Sequence, residues 1–365
     1  MSVQVSYKKQ TLFTVLFLLV IYFGAEITIQ TYNLYYPNCK FMNSEVFLDV
    51  DHDLQKKICL DNDKILFQNK PLRNIPNQDL DIVNINSDGF RGQEITKDKR
   101  DGQFRIFVVG GSTVLGNSAT SDETTISGWL QRLIDESDIS MKVEVINAGI
   151  GGGFSFTEKN LIQDKLLEYE PDLFIVYDGW NDIDRPYSVQ NEDSADHNLP
   201  TQILRNFVVK NEIIKIPGLI FKHYNFYKFT NMEVYTIFND ENIIEKAEIW
   251  KDRWTEVCQI GLQKDFDVIL ALQPLVGTGE KILTDEEKMY FKKYDHEHLI
   301  PNYQNYADQL EDIDDVCKNA LDLRNAFDNE TKTIFHDSGH VGDEGNRIIA
   351  KKLFETVYPI LQNRI

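Results

Sequence analysis

From residue 104 onward, two periodicities alternate along the chain. "RIFVV" (105–109) is a continuous apolar, β-branched run that reads as a buried strand, and "KVEVINAG" (142–149) alternates apolar with polar positions, also as a strand does. "PDLFIVYDG" (171–179) and "FDVILALQP" (266–274) repeat the continuous form. Helical spacing separates them. "TTISGWLQRLIDE" (124–136) places Ile126, Trp129, Leu130 and Leu133 on one face, and "TEKNLIQDKLLEYE" (157–170) is amphipathic. "IIEKAEIWKDRWTEVCQIGLQKD" (243–265) and "YQNYADQLEDIDDVCKNA" (303–320) read as helices, and "GNRIIAKKLFETVYPILQN" (345–363) closes the chain with Ile348, Ile349, Leu353 and Val357 on one side. Strands alternating with helices of this length imply βαβ units, a central parallel sheet covered on both faces, and hence a three-layer α/β/α fold.

The pattern differs elsewhere. Residues 1–10 place Lys8 and Lys9 ahead of an apolar run from Leu12 to Ala25, which continues past Glu26 to about Ile29. A run of this length crosses a bilayer, and the flanking lysines favour a cytoplasmic N-terminus. Phe23 stands where a cleavable signal needs a small residue, so the segment 11–31 is expected to stay as a transmembrane anchor, with a cleaved, secreted form as the alternative. Residues 32–100 are polar, with Pro37, Pro71 and Pro76, and read as an extracytoplasmic linker with a few short strands. Two irregular insertions are expected at about 184–242, which holds the aromatic stretch "IPGLIFKHYNFYKF" (216–229), and at 275–300.

Of the 365 residues, 38 are basic and 58 acidic, a net charge of −20 that leaves no basic face for a phosphate backbone; nucleic acid is excluded as a partner. Cys39 and Cys59 lie close enough to close a loop in an oxidising compartment, and buried free thiols are the alternative for all four cysteines, Cys258 and Cys317 included. "DVDHDLQ" (49–55) has Leu54 where a calcium loop turns on glycine, and "NET" (329–331) is a glycosylation sequon.

Candidate chemistry gathers where strands end. Gly110, Gly111 and Ser112 follow the first strand, "NAGIGGG" (147–153) ends the second, "GWND" (179–182) follows the third, and "HDSGHVGDEGN" (336–346) precedes the last helix. Two nucleotide readings fail. Asn117 replaces the lysine of a phosphate loop, and Phe154 takes the third glycine of a dinucleotide fingerprint. Serine chemistry accounts for all four groups. A serine hydroxyl needs an adjacent base, and Asp337, separated by two residues from His340, can orient that imidazole while its other nitrogen faces Ser112. His336 is a rival base, but Asp337 is poorly placed to orient its own neighbour. The Ser112 N–H, a glycine N–H and the Asn181 side-chain amide would hold an oxyanion. Gly151, Gly152 and Gly153 of the second loop are the candidates for that glycine. Asp178 and Asp182 are expected to order loops.

These blocks resemble the SGNH/GDSL-type hydrolases. Ser112 in "VVGGST", Gly152 in "NAGIGG", Asn181 in "DGWND", and Asp337 with His340 in "DSGH" match the family's four blocks in order over residues 104–363, with Gly111 where the name-giving pattern has Asp. "NINSDGFRG" (84–92) also resembles the lead-in of anchored or secreted members. The resemblance implies a hydrolase domain over 101–365, catalytic Ser112, Asp337 and His340, an oxyanion hole of Ser112, Gly152 and Asn181, and no metal or organic cofactor. It further implies an ester substrate on a glycan, lipid or cell-envelope polymer. Acyl transfer to an envelope glycan by the same machinery, and a non-catalytic glycan-binding or scaffolding ectodomain, are the alternatives.

Overall fold

The computed structural model of the chain describes residues 6–35, 42–185, 187, 216 and 242–364. Contacts divide the chain into two compact units, residues 1–39 with 196–233 and residues 40–195 with 234–365. In the first, the apolar run forms helix α1 (Tyr7–Tyr35), whose 29 residues extend about 44 Å and exceed a bilayer's hydrocarbon thickness. Glu26, the charge within the run, is buried and accepts the Ile216 N–H at 2.9 Å.

The second unit begins with helix α2 (His52–Lys64) and four short strands, β1 (Phe67–Asn69), β2 (Leu72–Asn74), β3 (Gln78–Asp79) and β4 (Asn84–Ile85), paired as β1 with β2 and β3 with β4. Asp51, the middle acid of "DVDHDLQ", accepts the Asp53 and Leu54 N–H groups and caps α2. Among its described residues, the segment expected as a linker is part of the packed body. Phe90 is buried in the main core, with its ring 5.6 Å from Phe107 and 5.4 Å from Tyr169. A polar segment needs only a few apolar anchors to dock, and such isolated anchors carry no periodicity.

The central sheet contains β5 (Gln103–Gly110), β6 (Lys142–Gly149), β7 (Leu173–Asp178), β8 (Asp267–Leu272) and β9 (Asn319–Asp322), all parallel in the order β6-β5-β7-β8-β9. Because β5 pairs with β6 on one side and β7 on the other, the chain reverses its direction of travel across the sheet at β5. That reversal opens a crevice beyond the carboxyl end of the strand.

Helices cover both faces. Phe107, Val109, Phe174 and Val176 meet α5 (Ser155–Asp164) and α7 (Ile243–Lys264) on one side, where Trp250 and Trp254 are fully buried. Ile106, Val108 and Ile175 meet α4 (Ile126–Asp135) and α11 (Asp343–Gln362) on the other. The short helices α3 (Ser112–Leu115) and α6 (Trp180–Asp184) follow β5 and β7.

Two expectations are corrected. The insertion expected at 275–300 contains α8 (Asp285–Lys293), opened by a capping box in which Thr284 and Glu287 bond each other's backbone N–H, and the start of α9 (His296–Ala307). The helix expected over 303–320 ends at Ala307. A single turn, α10 (Leu310–Asp314), and then the edge strand β9 follow it. Four residues at a sheet edge, half-exposed and ending in an acid, have no apolar run to announce them. The insertion at 184–242 lies outside the described residues except at its ends and at 187 and 216. Cys258 and Cys317 form a disulfide between α7 and the approach to β9. Cys59 is also disulfide-bonded, while Cys39, its expected partner, lies outside the described residues.

Candidate active site

β5 ends on Gly110 and is followed by Gly111 because the space around both is taken. A Cβ on Gly110 would lie 2.4 Å from the Tyr177 carbonyl oxygen, and one on Gly111 would lie 2.6 Å from the Asn181 side-chain nitrogen and 3.1 Å from the Gly153 carbonyl oxygen. The chain therefore turns at once into α3, whose first residue is Ser112. Its hydroxyl oxygen stands 2.7 Å from His340 Nε2. On the far side of the ring, Nδ1 lies 2.7 Å from Asp337 Oδ2, and the second carboxylate oxygen accepts the Gly339 and His340 N–H groups at 3.0 and 2.8 Å.

A carboxylate only accepts, so Nδ1 carries the ring proton and Nε2 turns a lone pair toward Ser112, whose hydroxyl donates to it. Burial on its own would raise the Asp337 carboxyl. The facing His340 ring, the hydrogen bond to it and the neighbouring His336 outweigh that and hold the group well below the usual carboxylate range. The structure thus brings together Ser112, His340 and Asp337, residues separated by as many as 228 positions.

The donors expected for an oxyanion lie against the same turn. Asn181 Nδ2 donates to the Gly153 carbonyl at 2.6 Å, and among the described residues its second N–H is unspent. Gly153 N–H is used by the Ile150 carbonyl at 2.9 Å, and Gly151 packs on the Phe67 ring, whereas among the described residues the Gly152 and Ser112 N–H groups bond nothing. Gly152 has φ +72, and its carbonyl is drawn aside by Arg185 Nη2 at 2.8 Å. A glycine suits that left-handed position, and the Gly152 N–H stays available.

His336 is not placed as a base. Its Nε2 lies 2.6 Å from Ser118 Oγ, both side chains are buried, and burial pushes the ring down to about 4. Asp182 accepts the Ser155 N–H at 2.9 Å and the Ser155 hydroxyl, and it faces Arg253 at 3.5 Å. Asp178 accepts the Trp250 indole N–H at 2.9 Å. They tie the end of β7 and helix α6, on either side of Asn181, to α5 and α7. Glu158, fully buried beside them with neither oxygen hydrogen-bonded among the described residues, is pushed up by burial first and by the Asp178 and Asp182 charges second.

Sequence reading missed the residues that hold the serine from behind. Arg91, which belongs to the supposed linker, donates from Nη1 to the Leu115 and Gly116 carbonyls at 2.9 and 2.7 Å and from Nε to Asp122 at 2.7 Å, and so caps the C-terminal end of α3. Asn147 Nδ2 donates to the Val114 carbonyl at 2.7 Å, and Asn74 Nδ2 to the Gly149 carbonyl at 3.0 Å. The turn "NSDGFRG" was visible as a turn, but its destination was not.

No family model and no curated protein matches the sequence. Among solved structures, the chain is similar to the acetyl xylan esterase AlAXEase at 17% identity and a TM-score of 0.41, over 70% of this chain and 100% of that one. An acetylxylan esterase from Geobacillus stearothermophilus carrying a catalytic substitution matches at 14% identity and 0.42, over 70% and 94% of the two chains. A GDSL-like lipase from Parabacteroides merdae matches at 11% and 0.41, over 69% and 94%.

Proposed function

We propose that the chain is a serine-dependent ester hydrolase of the SGNH/GDSL type. The observation that carries this reading is the continuous contact from Ser112 Oγ through the His340 ring to Asp337, 2.7 Å on each side, at the carboxyl end of β5. Ser112 Oγ attacks the ester carbonyl as its proton passes to His340 Nε2. Asp337 stabilises the imidazolium that forms, and the Ser112 N–H, the Gly152 N–H and the second N–H of Asn181 receive the negative oxygen. Collapse of the tetrahedral species breaks the ester C–O bond. The departing alcohol takes the proton from His340 and leaves an acyl group on Ser112. Water, deprotonated by the same ring, then attacks the acyl carbonyl and releases the acid with Ser112 restored. No metal or organic cofactor enters these steps.

The substrate is an acyl ester on a glycan, lipid or envelope polymer, as the resemblance of the four blocks implies. The site would work outside the cytoplasm. Helix α1 is long and apolar enough to anchor the chain, and the Cys258–Cys317 disulfide suits an oxidising compartment.

A fluorophosphonate probe applied to membranes holding the full-length chain tests the reading, since it forms an adduct only with an activated serine. The parent is expected to label and Ser112→Ala to stay blank. A parent that does not label, or a variant that does, overturns it.

A further inference from the structure

Between Asp337 and His340 the chain carries Ser338 and Gly339, and both are gripped from outside their own turn. His296, fully buried at the start of α9, has Nδ1 2.6 Å from the Val276 carbonyl oxygen and Nε2 2.6 Å from Ser338 Oγ. A carbonyl cannot donate, so Nδ1 holds the proton, Nε2 offers its lone pair, and the Ser338 hydroxyl donates to it. Burial keeps this ring neutral by lowering its affinity for a second proton. The main chain repeats the attachment, with Val276 N–H donating to the Ser338 carbonyl at 3.0 Å. Gly339 is wedged against Trp180 and Leu275, where a Cβ would meet carbon atoms at 2.8 and 2.9 Å.

The other flank of the turn is held separately. His336 N–H donates to the His340 carbonyl at 3.1 Å, the His336 ring is tied to Ser118, and Phe335 bridges Val341. Without His296, the turn carrying Asp337 and His340 would keep the anchors on that flank, the Val276 main-chain bond and the Gly339 packing. It would lose the side-chain bond beside the carboxylate. None of the His296 contacts reaches Ser112.

We propose that His296 and Ser338 are positioning residues, a buried imidazole–hydroxyl brace that aims the Asp337–His340 pair at Ser112. This rests on the reading of Ser112, His340 and Asp337 as the catalytic set. The physical ground is that reacting groups must be held within a fraction of an ångström, and an Asp-x-x-His turn on a connecting loop has few contacts of its own to do so.

The test uses the full-length chain, turnover of a chromogenic short-chain ester, and two substitutions. Ser338→Ala removes only the donor. It is expected to lower kcat about tenfold with KM unchanged, because the lost interaction serves the transition state and not ester binding. Ser338→Thr keeps the hydroxyl and is expected to restore kcat to within about threefold of the parent. Melting temperatures are measured alongside. Parent-like kcat in Ser338→Ala overturns the brace and leaves the catalytic reading standing. So does an equal loss in both variants, since a merely structural role would not be rescued by the hydroxyl. A parent with no Ser112-dependent turnover overturns the catalytic reading, and the brace with it.

Discussion

Asn181 donates its side-chain amide to the Gly153 carbonyl at 2.6 Å, and that contact roofs Gly111 so closely that a methyl group there would meet the amide nitrogen at 2.6 Å. The loop after β6 and the helix after β7 are thereby joined across the end of β5. Gly111→Ala should therefore displace Asn181 and lower kcat by about 10²- to 10³-fold, the range for losing one oxyanion donor. Steady-state kinetics on a purified variant with parent-like circular dichroism would check this, and undiminished kcat would mean that Asn181 supplies nothing to the reaction.

Asp337→Asn keeps the shape of the side chain but removes the charge that holds the His340 ring proton on Nδ1. The expected outcome is a fall in kcat of about 10³- to 10⁴-fold. Fluorophosphonate labelling should slow in parallel, because the probe reports the same activated hydroxyl. A variant within about tenfold of the parent would show that the carboxylate does not orient the base.

Arg91→Leu leaves the Leu115 and Gly116 carbonyls and the Asp122 carboxylate without their shared partner. Breaking a buried ion pair from one side costs about 3 kcal/mol. Urea unfolding should show that loss, and the labelling rate of Ser112 should fall, since α3 loses the cap at its far end. Parent-like stability would place Arg91 outside the packed body.

The His336 ring takes up a proton near pH 6.5 when unfolded and only at about 4 when folded, owing first to burial. The folded state binds the proton less readily. Its contribution is therefore complete above pH 6.5 and is lost as the pH falls from 6.5 toward 4. Asp337, held below the usual carboxylate range, contributes at a lower window: its stabilisation is present above about pH 4 and lost beneath it. Urea midpoints of the parent and His336→Gln, compared across both windows, should converge between pH 6.5 and 4 as the parent loses this advantage. A constant difference would mean that His336 is not buried in its neutral form.

Cys258 and Cys317 close a loop of 59 positions. On loop length alone such a bridge stabilises by about 4 kcal/mol. Cys258→Ser with Cys317→Ser should lower the unfolding free energy by that order while leaving KM unchanged, and a double variant as stable as the parent would show that the thiols are not joined.

What was legible in the chain followed from local chemistry. The runs at 105–109, 171–179 and 266–274 are apolar on both faces because a strand inside a covered parallel sheet touches helices on each side, so β5, β7 and β8 announced themselves. Ser112 and Asn181 stood out just past strand ends, and Asp337 with His340 ahead of the last helix, because the blocks occur together and in order. What the tertiary structure decided was every pairing that depends on distance folded away. The edge strand β9 exists only because β8 offers it a ladder. Arg91 reaches α3 across a segment that reads as a linker, and His296 finds Ser338 42 positions later. Periodicity records which face a residue turns to the core and says nothing of the partner waiting there. The single side chains that hold the serine and its histidine in place could therefore be assigned only once the chain had closed on itself.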